Sequence, residues 1–284
     1  MARLGSWIKA HPEGIYVAPA DAWIDPSQPK AKALITHGHS DHARGGHGAV
    51  LATPETLAIM ETRYGPQNGQ GIAYDETIRV GEVDVRFVPA GHVLGSAQIV
   101  LEHKGERVVV SGDYKRRPDP TCACFVPVPC DIFITELRAR GHNDPIYFHG
   151  AIERLNQLYE SFGVALGELR HTGGATRQEM AGHIVIAPPS ALNDRWSRRL
   201  PDPVTAMASG WMRIRQRARQ QNVELPLIIS DHADWDELTM TIRELEPAEV
   251  WITHGREEAL KHWCMTHQIK ACELNLVGYE DEDD

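Results

Sequence analysis

Apolar residues in the first part of the chain fall in short runs, some continuous and some alternating, broken by Pro, Asp and Gly. That pattern predicts strands at 14–18, 22–24, 33–35 and 49–52. It lengthens to a helical pattern over 54–63, with Thr53 placed as N-cap and Pro54 in the first turn. Strand-like runs return at 77–80, 83–88, 97–102 and 107–111, with Gly81-Glu82 and Lys104-Gly105 as natural hairpin connections. These strands are expected to be antiparallel, in a sheet with one face in a core. After Asp131 strands and helices alternate. The strands fall at 132–135, 146–148, 183–187, 204–208, 227–229 and 249–253, the helices at 151–162, 235–245 and 257–267. Such alternation predicts parallel strands with helices packed on the sheet. No linker separates the two halves, so two domains, if present, are tightly joined.

A chain of 284 residues suffices for one large domain or two interleaved ones. No apolar run approaches the roughly 18–20 residues of a membrane helix, and the first residues lack the apolar stretch of a signal peptide. The expectation is a cytoplasmic protein, whose five sparse cysteines read as free thiols. Cys122-x-Cys124 lacks the second pair that would make it a metal motif. The net charge of −10 argues mildly against a nucleic-acid binder. Part of the acid is the terminal run 280–284, however, and carboxylates that hold metal are neutralised by it, so the total excludes little.

The chemistry begins where the run 33–35 ends. His37, His39, Asp41 and His42 fall within six residues, followed by a Gly-rich stretch at 43–48. A turn at the end of a buried strand can aim several side chains at one point. Imidazole and carboxylate are ligands that zinc, manganese or iron accept. The cluster offers more ligands than one tetrahedral ion needs, so its spacing suggests two adjacent metals. Other apolar runs end in the same way, at His92, Asp113, Glu136, His232 and His254. Strand ends at one edge of a sheet can converge on one cleft, where a rigid scaffold holds functional loops.

With these residues in place, the sequence resembles the metallo-β-lactamase-fold hydrolases and, within them, the β-CASP nucleases. His37-x-His39-x-Asp41-His42 matches the signature loop, His92 in Ala90-Gly91-His92-Val93-Leu94-Gly95-Ser96 the third metal motif, and Asp113 the bridging aspartate. Glu136, His232 and His254 match the three motifs of the β-CASP branch, and Asp25 the early aspartate that props the metal loop. The resemblance covers the whole chain. Gly112-Asp113-Tyr114-Lys115, Ser209-Gly210-Trp211-Met212 and the stretch 230–235 look most like the bacterial ligase-associated DNA exonucleases.

The resemblance implies an α/β fold: a four-layer αβ/βα sandwich, two mixed sheets face to face with helices outside. Residues 1–136 and 226–284 would form it, with a smaller β-CASP α/β insert at 137–225. It implies that His37, His39 and His92 hold one divalent ion and that Asp41, His42 and His254 hold a second, with Asp113 bridging. Zinc is the expected metal and manganese the alternative. Two ions about 3.5–4 Å apart suit phosphoester hydrolysis, because together they acidify water and neutralise charge in the transition state. Asp41 counts as catalytic as well as ligating. His232, near the metals but not bound to them, is the candidate general acid for the leaving alkoxide, with Glu136 orienting it. The family normally continues this glutamate into Ser-Thr and a helical segment. Here Glu136 runs through 137–144 straight into Pro145-Ile146-Tyr147-Phe148, so part of the insert is missing.

Strand contacts would come from Lys115-Arg116-Arg117, directly after Asp113, and from Arg213, Arg215, Arg217 and Arg219, which alternate after Trp211. Ser190 and Ser209 stand where the family places phosphate contacts, and Trp211 suits base stacking. The implied partner is nucleic acid, DNA before RNA, with DNA ligase or helicase repair proteins as associates and no membrane. A DNA exonuclease in repair is the leading reading and an RNA-processing nuclease the second. A thioesterase or lactonase of the same fold would use the cluster but leave Glu136, His232 and the basic track unexplained. The shortened insert keeps open a catalytically weakened relative that binds nucleic acid without cutting.

Overall fold

The computed structural model describes residues 5–135, 146–166, 168–181, 183–188, 190–191, 195–200, 203–208, 223–227, 232–253 and 257–274. The chain divides into two compact units, residues 1–138 with 231–284, and residues 139–230.

The first unit opens with a six-stranded sheet in chain order: β1 (Ile8–His11), β2 (Gly14–Val17), β3 (Ala22–Ile24), β4 (Ala33–Leu34), β5 (Val50–Ala52) and β6 (Gly69–Gly71). β1, β2 and β3 pair antiparallel; β3 to β6 run parallel. The connection from β5 to β6 is helix α1 (Pro54–Tyr64). It starts where the pattern predicts, with the Thr53 hydroxyl accepting from the Thr56 N–H at 3.2 Å, a cap worth about 1 kcal/mol. β7 (Thr77–Val80), β8 (Val83–Pro89), β9 (Ala97–His103) and β10 (Glu106–Val110) then form an antiparallel meander. β11 (Ile132–Thr135) joins β10 in parallel.

The second unit contains β12 (Ile146–Phe148), α2 (Glu153–Ser161), β13 (Leu169–His171), α3 (Arg177–Met180), β14 (Ile184–Ile186), β15 (Ala206–Ala208) and β16 (Leu225–Leu227). Its strands pair in parallel, as strand–helix alternation requires, in the order β13-β12-β14 and as the pair β15-β16. A capping box between Thr176 and Glu179 starts α3.

Back in the first unit, α4 (Trp235–Leu245), β17 (Glu249–Ile252), α5 (Glu257–Thr266) and β18 (Lys270–Glu273) complete a seven-stranded mixed sheet, ordered β18-β17-β11-β10-β9-β8-β7. The two faces of each sheet bury different residues. Ile15, Val17, Ile24 and Leu34 of the first sheet pack in one core with Val85, Phe87, Ile99, Leu101, Val108, Val110, Ile132 and Ile134 of the second. The alternate residues Val88, Val100, Val109, Phe133, Val250 and Ile252 face the other way, onto Leu238, Ile242 and Leu245 of α4 and Leu260 and Cys264 of α5. On the outer face of the first sheet, Ala33, Val50 and Ala52 meet Met60 of α1. A side-chain period of two thus sorts each strand between two cores, and the layers run helix, sheet, sheet, helix. The meander is buried on both faces only around Val88, Val100 and Val109; β7 and the start of β8 keep one face outside the core.

Four strands carry no pattern strong enough to predict them: β1, β6, β13 and β18. Each lies at the edge of its sheet. An edge strand is held by backbone pairing on one side and needs few apolar residues; β6 is Gly-Gln-Gly, exposed throughout. Among the described residues no helix is long and apolar enough to cross a membrane.

Candidate metal centre

The ligand loops all leave strand ends of the first unit. His37–His42 follows β4, His92 follows β8 and Asp113 follows β10, while His232 precedes α4. One ligand atom from each of His37, His39, His92 and Asp113 lies within 4.8 Å of the others. Nε2 of His92 is 3.1 Å from Nδ1 of His39 and 3.5 Å from Oδ2 of Asp113; Nε2 of His37 is 3.6 Å from that same oxygen.

Two glycines let the loops approach. Gly91 has φ +73°, and a Cβ there would run into the Lys115 carbonyl. Gly112 has φ +54°, and its Cβ would lie 2.6 Å from Oγ1 of Thr36. Both conformations favour glycine, and both positions touch a neighbouring loop of the site. The loop bearing His92 is fixed from within by Ser96, whose Oγ accepts from the N–H groups of His92 and Val93, each at 3.1 Å. It is fixed from outside by Thr53 and Thr56, whose hydroxyls donate to the Gly95 carbonyl at 2.6 and 3.0 Å. Arg63 of α1 donates to the Gly38 carbonyl, between two of the histidines.

Asp25 sits beneath the signature loop. Its Oδ1 accepts from the Thr36 N–H at 2.8 Å, and its Oδ2 from the Thr36 hydroxyl at 2.5 Å and from Nδ1 of His42 at 2.9 Å. Because Nδ1 of His42 donates to the carboxylate, Nε2 keeps its lone pair, 3.5 Å from Oδ2 of Asp41. Asp41 and His42 therefore stand beside the four-residue group, with the His42 and His37 rings 4.2 Å apart.

The donor set fits a divalent cation. His37 is fully buried, and its Nε2 has no hydrogen-bond partner among the described residues. Burial first, and then the His42 and His92 rings, hold its pKa well below the ordinary 6.5, against a pull upward from Asp113. A buried neutral imidazole with its lone pair aimed at a carboxylate is costly alone and suited to a metal. His232 completes the cluster: its Nε2 hydrogen-bonds Oδ2 of Asp113, and its ring lies 4.5 Å from that of His92.

Other expected positions fare differently. Glu136, His254, Ser209, Trp211 and Arg213 lie outside the described residues, as do Arg215, Arg217 and Arg219. Ser190 belongs to the second unit and is exposed. The triplet after Asp113 was expected to offer charge to a strand; the structure gives each member an acidic partner. Lys115 is buried and paired with Asp119 at 2.9 Å. Arg116 pairs with Glu244 and lies over Phe125, and Arg117 pairs with Asp234 and Glu237. For the two arginines the reason is geometric: the chain after β10 passes close to α4, with acids at its N-cap, Asp234, in its first turn, Glu237, and near its end, Glu244. None of the five cysteines is in a disulfide. Burial pushes the Cys122 and Cys130 thiols up to about 12 and Cys264 up to about 11, which keeps them protonated.

Sequence reasoning gave Thr36, Thr56 and Ser96 no role and placed Thr53 as a helix cap without its bond to the Gly95 carbonyl. Their one signal is a hydroxyl placed next to a ligand or a helix start.

Fold and centre together define the metallo-β-lactamase architecture. No family model matches the chain. Curated relatives do, among them a probable DNA ligase of Opitutus terrae, 26% identical over 91% of this chain; Ribonuclease TTHA0252 of Thermus thermophilus, 30% identical over 40%; and endoribonuclease ysh-1 of Neurospora crassa, 29% identical over 36%. The chain spans 31%, 32% and 17% of their respective lengths, less than a third of each. The match to the ligase extends over 320 positions, more than the 284 residues present, so the relative carries residues with no counterpart here. Fold and relatives are thus consistent with the resemblance to the metallo-β-lactamase-fold β-CASP nucleases.

Proposed function

We propose that the protein is a metal-dependent phosphodiesterase acting on nucleic acid, and specifically a DNA exonuclease of repair. The observation that carries this reading is the convergence of His37, His39, His92 and Asp113, with His232 hydrogen-bonded to the same aspartate. DNA is favoured over RNA because the similarity to the probable DNA ligase takes in nearly the whole chain, while that to the ribonuclease takes in less than half. The second reading, an RNA-processing nuclease, draws on the two ribonuclease relatives.

His37, His39 and His92 would hold one ion, Asp41, His42 and His254 a second, with Asp113 shared between them. A donor set rich in imidazole suits zinc, with manganese the alternative. Such ions supply Lewis acidity toward water and toward phosphoryl oxygen. The chain's own residues do the rest. Asp25 keeps His42 in one tautomer. Asp113 accepts from Nε2 of His232 and so keeps a proton on the nitrogen that would protonate a leaving alkoxide, with Glu136 as its orienting partner. Ser190, Ser209, Trp211 and Arg213 are the strand contacts we assign. Lys115 and Arg116, held by Asp119 and Glu244, would contact a strand only by leaving those partners.

The test is incubation of the purified chain with end-labelled single-stranded DNA and, separately, RNA, each with Zn²⁺ or Mn²⁺. Progressive shortening of DNA supports the proposal, and shortening of RNA alone moves the assignment to the second reading. Binding without cleavage of either would mark the weakened relative that the short insert allows, and rapid turnover of a thioester or lactone would sink the nuclease reading.

A further inference from the structure

Thr36 is buried between the two sheets' ligand loops and makes contacts in four directions. Its hydroxyl is 2.5 Å from Oδ2 of Asp25 and 3.1 Å from Nδ1 of His37. A hydroxyl has one proton. The carboxylate oxygen can only accept it, so the Thr36 oxygen is left to accept from His37, and the His37 proton must sit on Nδ1. Nε2, the nitrogen nearer Asp113, then carries the lone pair. The Thr36 carbonyl accepts from the Ala97 N–H at 2.8 Å, which ties down the end of the loop that bears His92. The Thr36 side chain also fills the space where Gly112 lacks a Cβ, one residue before Asp113.

We propose that Thr36 is the positioning residue of this centre: its hydroxyl selects the metal-facing nitrogen of His37, its carbonyl ties down the loop of His92, and its Oγ1 and Cβ pack against Gly112 beside Asp113. The inference rests on the metal-centre reading above. A ring partner of this kind acts by fixing orientation and tautomer, and its loss typically weakens metal affinity about 10–100-fold. Volume and hydroxyl can be separated, because valine keeps the shape of threonine without the hydroxyl, and serine keeps the hydroxyl without the methyl.

The experiment uses the full chain, stripped of metal by a chelator, with Zn²⁺ as probe. Zn²⁺ affinity is read by competition with a chromophoric chelator for the parent, Thr36→Val and Thr36→Ser. The His37 tautomer is read in the metal-free parent and variants by long-range ¹⁵N–¹H correlation, assigned by its loss in His37→Gln. The expected result is Nδ1–H on His37 in the parent, loss of that preference in Thr36→Val with Zn²⁺ binding weakened about 10–100-fold, and recovery of both in Thr36→Ser. Equal Zn²⁺ affinity in Thr36→Val and parent would overturn the inference. So would a serine variant as weak as the valine one, or an Nε2–H tautomer in the parent. If Thr36→Val does not fold, the parent spectrum and Thr36→Ser still decide. A parent that binds no Zn²⁺ at all defeats the metal-centre reading instead, while the tautomer measurement, made without metal, still judges Thr36.

Discussion

Nε2 of His232 donates to Oδ2 of Asp113, joining residues 119 positions apart in the chain. The two have different expected roles, and substitution separates them. His232→Ala should cut turnover by about 10²–10⁴-fold, the usual contribution of a general acid, with bound metal largely unchanged. Asp113→Ala should lose both. Metal content by atomic absorption, set beside strand-cleavage rates, checks this; metal lost from His232→Ala would make that histidine a ligand.

Asp25 is a structural support that also serves the centre. It is buried and takes three hydrogen bonds, two from Thr36 and one from His42. In Asp25→Asn an amide NH₂ replaces one accepting oxygen and faces a donor. The expected cost is roughly 1–3 kcal/mol, the usual result of stranding a buried polar group, together with weaker metal binding. Urea denaturation of the metal-free protein measures the first part, and an unchanged midpoint would contradict it.

Gly112 and Gly105 have similar backbones and different surroundings. Their φ values are +54° and +82°, but a Cβ on Gly112 would strike Thr36, while one on Gly105 would meet nothing within 4 Å. Gly105→Ala should cost only left-handed strain, about 1–2 kcal/mol. Gly112→Ala should cost more and displace Asp113, so that metal affinity falls as well. Melting curves and Zn²⁺ titration of both variants provide the comparison; equal losses would show that the contact with Thr36 contributes nothing.

Acid should destabilise the metal-free protein. The fold holds the His37 pKa well below 6.5, mainly by burial, and that of His47 below it for the same reason. A histidine with a depressed pKa binds fewer protons folded than unfolded. Its contribution is therefore fully present above about pH 6.5 and is lost as pH falls from there through the folded value. Between about pH 7.5 and 5.5, unfolding free energy should drop with a slope of at most about 1.4 kcal/mol per pH unit for each such ring. A flat profile over that range in chelator-treated protein would refute the assignment.

The two sheets were legible because their central strands face two cores and must alternate or run apolar throughout. Val108-Val109-Val110 and Ile132-Phe133-Ile134 have no choice but burial. The edge strands β1 and β6 were not legible, because backbone pairing holds them whatever their side chains. The spacing of His37, His39, Asp41 and His42 pointed to metal because four potential ligands in six residues have few other uses. The pairing of Lys115-Arg116-Arg117 was not legible, because Arg116 and Arg117 meet acids at α4, more than a hundred residues later, and only Lys115 finds its partner, Asp119, nearby in the chain.

The sequence by itself determined the strands of the core, the start of α1 at Thr53, and the candidate metal-binding side chains at His37, His39, Asp41, His42, His92 and Asp113. All of these depend on local pattern: periodicity, capping and the chemistry of neighbouring side chains. Only the tertiary structure decided that His92 and Asp113 reach His37, that His232 leans on Asp113, and that one threonine hydroxyl stands between Asp25 and His37. Those relationships depend on where strand ends from two facing sheets meet. That is set by the packing of the sandwich as a whole, and no short stretch of sequence carries it.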